Sequence, residues 1–295
     1  MLHIEPNRPK QQALLGQYRL RRKIPARVYA VLILGIALII MGRWMQAAAD
    51  TPDISDMVAQ AGIDPKASTL VITRLSDGQA WVSNAARAEQ RFSPASTSKI
   101  PHTLVALDTG TAQPDTLFKW GGLRTWNPDW NRDHTLQSAF RNSVVWVYQE
   151  IVQQVGAPGM QGGMERRDYG NATTGGPDNL TTYWLNDTLQ ISANEQVDFL
   201  TRLAQRRLPL SPETYAAADD IMLADTGDGW ELRAKTGWRH GRDIMDIGWY
   251  VGWVGCGSDH YVFAFNMDMP DSSFRDFRQS TALSVLTDIG AFTCP

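Results

Sequence analysis

The runs that read as β-strand sit at the two ends of the chain with helix-like sequence between them, and this distribution constrains the fold more than any single residue. Near the start, Leu70-Val71-Ile72-Thr73 and Ala80-Trp81-Val82-Ser83 flank Asp77-Gly78, the signature of a hairpin. From Ser96 to about Gln205 the pattern turns mostly helical, with helices expected over 97–107, 136–155, 160–168 and 194–206. Ser192, with Glu195 three residues on, makes a capping box for the last of these, and a further helix begins at Ser211-Pro212-Glu213. Strands return over 230–236, 247–254 and 261–267, before a final helix over 274–292. Such an order predicts an α+β fold: an antiparallel sheet assembled from both termini and flanked by helices, with an inserted helical subdomain over about residues 96–210. No repeat or linker divides residues 50–295, which therefore read as a single domain. A ligand cleft is expected where sheet and helices meet, edged by the irregular loop 120–133.

Pro94-Ala95-Ser96-Thr97-Ser98-Lys99-Ile100-Pro101 falls at that junction. Pro94 suits a helix start, and Pro101 can sit in a first turn. Residues at i and i+3 share a helix face, with Cβ atoms roughly 5–6 Å apart, so Ser96 and Lys99 can meet without help from the rest of the fold. A serine activated by a neighbouring base attacks carbonyls. Taken alone, Ser-x-x-Lys is weak, since a chain of this length offers on the order of one chance match. Its weight comes from Lys235-Thr236-Gly237 far downstream in a strand-like segment, with Ser143-Val144-Val145 between the two blocks.

Residues 1–49 look foreign to the rest. They carry eight basic residues against the single acid Glu5, an apolar run over 28–41 broken only by Tyr29 and Gly35, and Ala47-Ala48-Ala49. A basic segment, a short apolar core and an Ala-x-Ala site describe a secretory signal peptide, and the core is shorter than the roughly 20 residues that span a bilayer. An uncleaved anchor is the alternative, suggested by Arg43 just after the apolar run. Removing eight basic residues and one acid takes the formal charge from −3 to −10. So acidic a protein is a poor partner for nucleic acid or for an anionic membrane, and once cleaved it has no stable membrane partner. The expected location is periplasmic or secreted. There, Cys256, in a turn between two strands, and Cys294, after the last helix, can pair if that helix packs back along the second strand. Two free buried thiols are the other reading.

Six blocks occur in order: Pro-Ala-Ser-Thr-x-Lys-Ile-Pro over 94–101, Ser143-Val144-Val145, Tyr169-Gly170-Asn171, Tyr183-Trp184-Leu185, Lys235-Thr236-Gly237, and Gly248-Trp249-Tyr250-Val251-Gly252-Trp253. Together they resemble the class D, or oxacillinase-type, serine β-lactamases over nearly all of the chain beyond residue 49. Class A enzymes instead have Ser-Asp-Asn where this chain has Ser143-Val144-Val145. The resemblance implies the fold shared by serine β-lactamases and penicillin-binding transpeptidases. It also implies hydrolysis of the β-lactam ring of penicillin-type antibiotics, and hence antibiotic resistance.

In this family Ser96 would be the nucleophile, and Lys99 would react with carbon dioxide to give a carbamate general base, with no other cofactor. Val145, Trp184 and Leu185 would line the carbamate pocket. Ser143, aided by Lys235, would pass a proton to the lactam nitrogen. The backbone N–H groups of Ser96 and Trp238 would form the oxyanion hole. Thr236, Gly237 and Arg278 would bind the substrate carboxylate, with Arg275 one turn earlier as the alternative anchor. The partners implied are β-lactam small molecules, and the protein is a monomer or homodimer. Two other readings of the same motifs are a non-hydrolytic β-lactam-binding sensor domain and a DD-transpeptidase-like penicillin-binding protein.

The chain departs from the family pattern at three places. Ser98 stands where a bulky aromatic is usual, which predicts a wetter pocket and weaker carbamylation. Trp146 replaces a smaller residue, and Gly121 replaces an acid. Tyr169-Gly170-Asn171 is expected to shape a turn under the site, and Trp249 and Trp253 to face the terminal helices from one side of a strand. His102, His134, His240 and His260 show no metal-ligand spacing, so no metal site is expected. The loop over 238–247, with Arg239, His240, Arg242 and Asp243, is expected to overhang the cleft and tune substrate choice.

Overall fold

The computed structural model describes residues 51–241 and 244–294. Helix α1 (Ser55–Gln60) leads into the hairpin of β1 (Ser68–Arg74) and β2 (Ala80–Val82), turned by Gly78 at φ +76°. A short helix α2 (Ala85–Ala88) and a 3-10 turn (Ala95–Ser98) bring the chain to α3 (Lys99–Asp108). Strands β3 (Leu117–Phe118) and β4 (His134–Thr135) pair across the neck of a long loop. Four helices follow: α4 (Leu136–Arg141), α5 (Val145–Arg167), α6 (Ala193–Ala204) and α7 (Pro212–Met222). Ser192 and Glu195 cap α6 reciprocally, and Ser211 caps α7 ahead of Pro212. The chain then returns to the sheet in β5 (Leu223–Thr226), β6 (Trp230–Arg239), β7 (Asp246–Cys256) and β8 (Asp259–Met269), and closes with α8 (Phe277–Asp288).

The six strands order as β2-β1-β8-β7-β6-β5, antiparallel throughout, so strands from both ends of the chain meet at the β1–β8 pair. Side chains alternate across a strand, and in β7 both sets are apolar because both faces are covered. Tyr250 and Val254 join Val58 of α1 and Val285 and Leu286 of α8 in one core. Trp249, Val251 and Trp253 join Leu104, Tyr148 and Phe199 in the other, beneath the helical half. The two tryptophans thus face away from the terminal helices, contrary to expectation. Trp249 is anchored on its side by Nε1–H donating to Ser93 O at 2.9 Å and by an edge contact with Phe92.

The helix expected over 136–155 is two helices, broken at Ser143, whose φ is +55°. Continuous helical pattern could not reveal this break, since the hydroxyl of Ser143 is held by Lys235 from another element. Beyond the break α5 absorbs the expected 160–168 helix, bending at Gly156 (φ +77°) ahead of Pro158. Strand β5 carries no alternating pattern of its own and exists by pairing with β6. Cys256, closing β7, is disulfide-bonded to Cys294 with Cα atoms 5.3 Å apart. Among the described residues no helix is long and apolar enough to cross a membrane. The candidate export segment over 1–49 lies outside the described residues, as do Arg242 and Asp243 of the overhanging loop.

Candidate active site

Ser96 sits in the 3-10 turn that opens α3, on a backbone set by Ala95 at φ +47°. A non-glycine residue in the left-handed region costs free energy and persists only where its surroundings enforce it. Thr97 and Ser98 do so from within the turn: their hydroxyls donate to Pro94 O at 2.8 Å and Ala95 O at 2.7 Å. The Ser98 hydroxyl is therefore engaged inside its own turn. From outside, Gln196 of α6 donates to Thr97 Oγ1 (2.9 Å) and to Tyr169 Oη (3.1 Å), which places the Tyr169-Gly170-Asn171 block beneath the turn. Strand β6 passes so close that a Cβ on Gly237 would lie 2.9 Å from Pro94 O, which explains why Lys-Thr must be followed by glycine here.

One helical step on, Lys99 is fully buried and donates from Nζ to Ser96 Oγ at 3.0 Å. It pairs with no carboxylate among the described residues, and burial pushes its pKa down to about 7. Its Nζ stands 5.0 Å from the centre of the Tyr148 ring. Trp184 is also fully buried, and its Nε1–H has no partner among the described residues. Val145 and Leu185 line the cleft between Ser96 and the loop over 120–133.

On the far side of the cleft, Lys235 Nζ donates to Ser143 Oγ, to Thr236 O (3.1 Å) and to Thr236 Oγ1 (3.3 Å). Burial holds this ammonium well below its ordinary range, and the charges of Lys99 and Arg278 push the same way. Past Arg233, where its pairing with β5 ends, the outer edge of β6 has no strand neighbour among the described residues and faces the cleft. Arg278 reaches this edge from α8 and is locked there, donating from Nη1 to Gly237 O (2.8 Å) and from Nε to Arg275 O (2.7 Å). Gly248 makes room for it, since a Cβ there would lie 2.9 Å from Arg278 Cγ. Burial lowers the Arg278 pKa to about 10, helped by the charge of Arg275. Arg275 also lines the cleft but is exposed, lying over the Trp238 ring.

The walls beyond are tied by indoles. Trp130 Nε1–H donates to Asn142 O and Trp146 Nε1–H to Trp130 O, both at 2.9 Å, so Trp146 fixes the loop over 120–133 against the start of α5. The solvent-facing Gly121 has no such role, and nothing in the structure explains its replacement of an acid. Asp246 gathers the β6–β7 loop, accepting from Trp238 Nε1 (2.8 Å) and Gly241 N (3.2 Å) and pairing with His240 Nδ1 (2.7 Å). Arg239 pairs with Asp187 across the cleft mouth. No group of three or more His, Cys, Asp or Glu placed to hold a metal occurs among the described residues.

A serine beside a buried lysine of lowered pKa, facing a second serine–lysine pair across a cation-lined cleft, matches what comparison with known proteins finds. The family model of the penicillin-binding protein transpeptidase domain matches residues 51–289. β-Lactamase OXA-20 of Pseudomonas aeruginosa is 34% identical over 90% of this chain and 97% of its own length. β-Lactamase OXA-48 of Klebsiella pneumoniae is 40% identical over 70% of this chain and 78% of its own. The class D β-lactamase YbXI from Nostoc superposes with a TM-score of 0.77 at 33% identity, covering 81% of this chain and 99% of that structure. The chain belongs to the class D β-lactamases.

Within this class D chain, the residues singled out from sequence converge from five elements: Ser96 from the 3-10 turn, Lys99 from α3, Ser143 and Val145 around the α4–α5 break, Lys235 to Trp238 from β6, and Arg278 from α8. Trp184 and Leu185 come from the turn ahead of α6. Sequence reasoning missed Tyr148 and His102, which help enclose Lys99. His102 follows Lys99 by the same three-residue step that separates Lys99 from Ser96, and that spacing was the available signal.

Proposed function

We propose that this chain hydrolyses the β-lactam ring of penicillin-type antibiotics through an acyl-enzyme on Ser96, and so confers antibiotic resistance. The observation that carries the reading is the Ser96–Lys99 pair, in which a buried lysine with a pKa of about 7 lies 3.0 Å from the hydroxyl of a half-buried serine that lines the cleft. Each relative cited above is a β-lactamase by name.

Neutral for much of the time near pH 7, Lys99 can accept the Ser96 proton at Nζ as Oγ bonds to the lactam carbonyl carbon. The developing oxyanion is met by the backbone N–H groups of Ser96 and Trp238. As the C–N bond breaks, the ring nitrogen takes a proton from the Ser143 hydroxyl, which Lys235 replenishes through its hydrogen bond. The substrate carboxylate is bound by the Thr236 hydroxyl and the Arg278 guanidinium beside Gly237. Arg278 is favoured over Arg275 because its fork is buried and already oriented. Hydrolysis of the ester by water then frees Ser96.

The family also implies carbamylation of Lys99, and the residues fit that group: the buried amine has its pKa lowered to about 7, and the same cluster of rings, linked through Tyr148 and His102, holds a buried indole donor, Trp184 Nε1–H, without an acceptor among the described residues. When bound, the group supplies a general base, held by Trp184 between the apolar walls of Val145 and Leu185. With its hydroxyl spent on Ala95 O, Ser98 need not wet this pocket. On the same reading residues 1–49 direct export and residues 50–295 form one catalytic domain, for which the Cys256–Cys294 bond suits an oxidising compartment.

The test is hydrolysis of a chromogenic cephalosporin by purified protein, followed well past one equivalent, with and without bicarbonate. Many turnovers, faster with bicarbonate, are expected. A single burst followed by silence would instead make the chain a covalent β-lactam binder.

A further inference from the structure

Three residues beyond Lys99 on α3 lies a histidine that the reaction above leaves idle. His102 is fully buried, with Nε2 2.6 Å from Tyr183 Oη. Its Nδ1 is buried and has no partner among the described residues. The ring stands edge-on to Trp184, centroids 4.9 Å apart and planes at 73°, and Trp184 Nε1 is the other orphaned nitrogen of this chamber. Tyr148 joins the two halves, its ring 6.2 Å from His102 and 5.0 Å from Lys99 Nζ.

The hydrogen-bond pattern assigns the tautomer. If Nε2–H donated to Tyr183, both the tyrosine O–H and the Nδ1 lone pair would be buried without partners. If Tyr183 donates to Nε2, only Nδ1–H is left, and structures bury as few unmatched groups as they can. Burial, and then the nearby charge of Lys99, keep the imidazole neutral. The chamber therefore offers two N–H donors, Nδ1 of His102 and Nε1 of Trp184, and no acceptor for either. Carbamylation joins neutral Nζ to the carbon of carbon dioxide and releases one Nζ proton. It adds one negative charge and two oxygen acceptors, and needs no oxidant or reductant.

We propose that His102 is a positioning residue for carbamylated Lys99, its Nδ1–H donating to a carbamate oxygen alongside Trp184 Nε1–H. The inference rests on carbamylation of Lys99, and the experiment separates the two. Full-length protein equilibrated with ¹³C-bicarbonate should give a carbamate ¹³C resonance whose growth with bicarbonate concentration reports occupancy. His102→Phe keeps a ring and removes both nitrogens. Loss of one charge-assisted hydrogen bond should raise the bicarbonate concentration for half-occupancy about tenfold. His102→Gln, which restores an N–H donor, should recover most of that loss. Equal half-occupancy in wild type and His102→Phe overturns the role of His102 and leaves carbamylation standing. No carbamate resonance in the wild type overturns both.

A second readout needs no variant. Proton–nitrogen spectra of the wild-type imidazoles should show His102 as the Nδ1–H tautomer, with that proton moving downfield as bicarbonate is added. An Nε2–H tautomer, or an Nδ1 proton that bicarbonate does not move, would overturn the proposal even if the variants failed to fold.

Discussion

Ser96 and Lys99 meet because they are three residues apart in one turn, whereas Ser143 and Lys235 are 92 residues apart and meet only through the packing of α4, α5 and β6. The surroundings differ as much as the construction. Lys99 lies by the Tyr148 ring with His102 one helical step on, gives its hydrogen bond to Ser96, and has its pKa lowered to about 7 by burial alone. Lys235 is also buried but lies behind Ser143 and Thr236, which line the cleft; it has three oxygen acceptors and is pushed down by burial together with the charges of Lys99 and Arg278. It has no acidic partner among the described residues, so an arriving carboxylate relieves repulsion that the empty site must bear. A lysine whose one hydrogen bond goes to the adjacent serine suits a base, and a lysine joined to the cleft-lining hydroxyls of Ser143 and Thr236 suits proton relay to a bound substrate.

That contrast can be broken experimentally. The largest effect is expected for Ser96→Ala, which should cut acylation by at least about 10⁴-fold, as loss of a nucleophile does. Intact-protein mass after penicillin treatment is the check, and any adduct at another serine would contradict the assignment. Next, Ser143→Ala should slow acylation by about 10²–10³-fold through loss of the proton donor. Ser143→Gly separates the hydroxyl from the backbone, because glycine adopts the φ of +55° freely. Similar losses in the two variants assign the effect to the hydroxyl, and a much milder loss in the glycine variant assigns it to conformation.

Trp184→Phe removes only the orphan N–H and should slow deacylation by about 10–100-fold while leaving acylation within a few-fold. Unchanged turnover would remove the indole from the mechanism.

The smallest effect sharpens the account of Lys99 itself. Its folded pKa of about 7 lies below the ordinary 10.5. Between those values the unfolded chain holds a proton that the folded chain lacks, so the contribution of Lys99 to stability rises with pH across this window. Below about pH 7 both states are protonated and the full burial penalty applies. In bicarbonate-free buffer Lys99→Met should therefore be more stable than wild type below pH 7, with the gap closing towards pH 10.5. Denaturant midpoints measure this, and a gap independent of pH would contradict it.

What could be read in the sequence follows the same division. Ser96–Lys99 was legible because local spacing sets its geometry, and the capping box of α6 for the same reason. The antiparallel sheet was legible because β7 and β8 are long, mainly apolar runs separated by a turn, with the alternating β6 before them. The break at Ser143 was not, since the residues around it fit a helix and the interaction that holds the break comes from β6. Nor was the face of Trp249 and Trp253, because β7 is apolar on both sides and its pattern gives no direction. The lock on Arg278 depends on Gly248 and Gly237, positions whose meaning appears only when two backbones come together.

That Ser143–Lys235 serve acylation alone, whereas the Lys99 chamber, having taken the Ser96 proton in acylation, is needed again for deacylation through Trp184, is tested most directly by rapid-quench intact-protein mass spectrometry with benzylpenicillin. During turnover Trp184→Phe should accumulate a penicilloyl adduct on the peptide bearing Ser96, while Ser143→Ala should remain mostly free enzyme. Adduct accumulating in Ser143→Ala and absent from Trp184→Phe would contradict the division and reverse the roles of the two lysines.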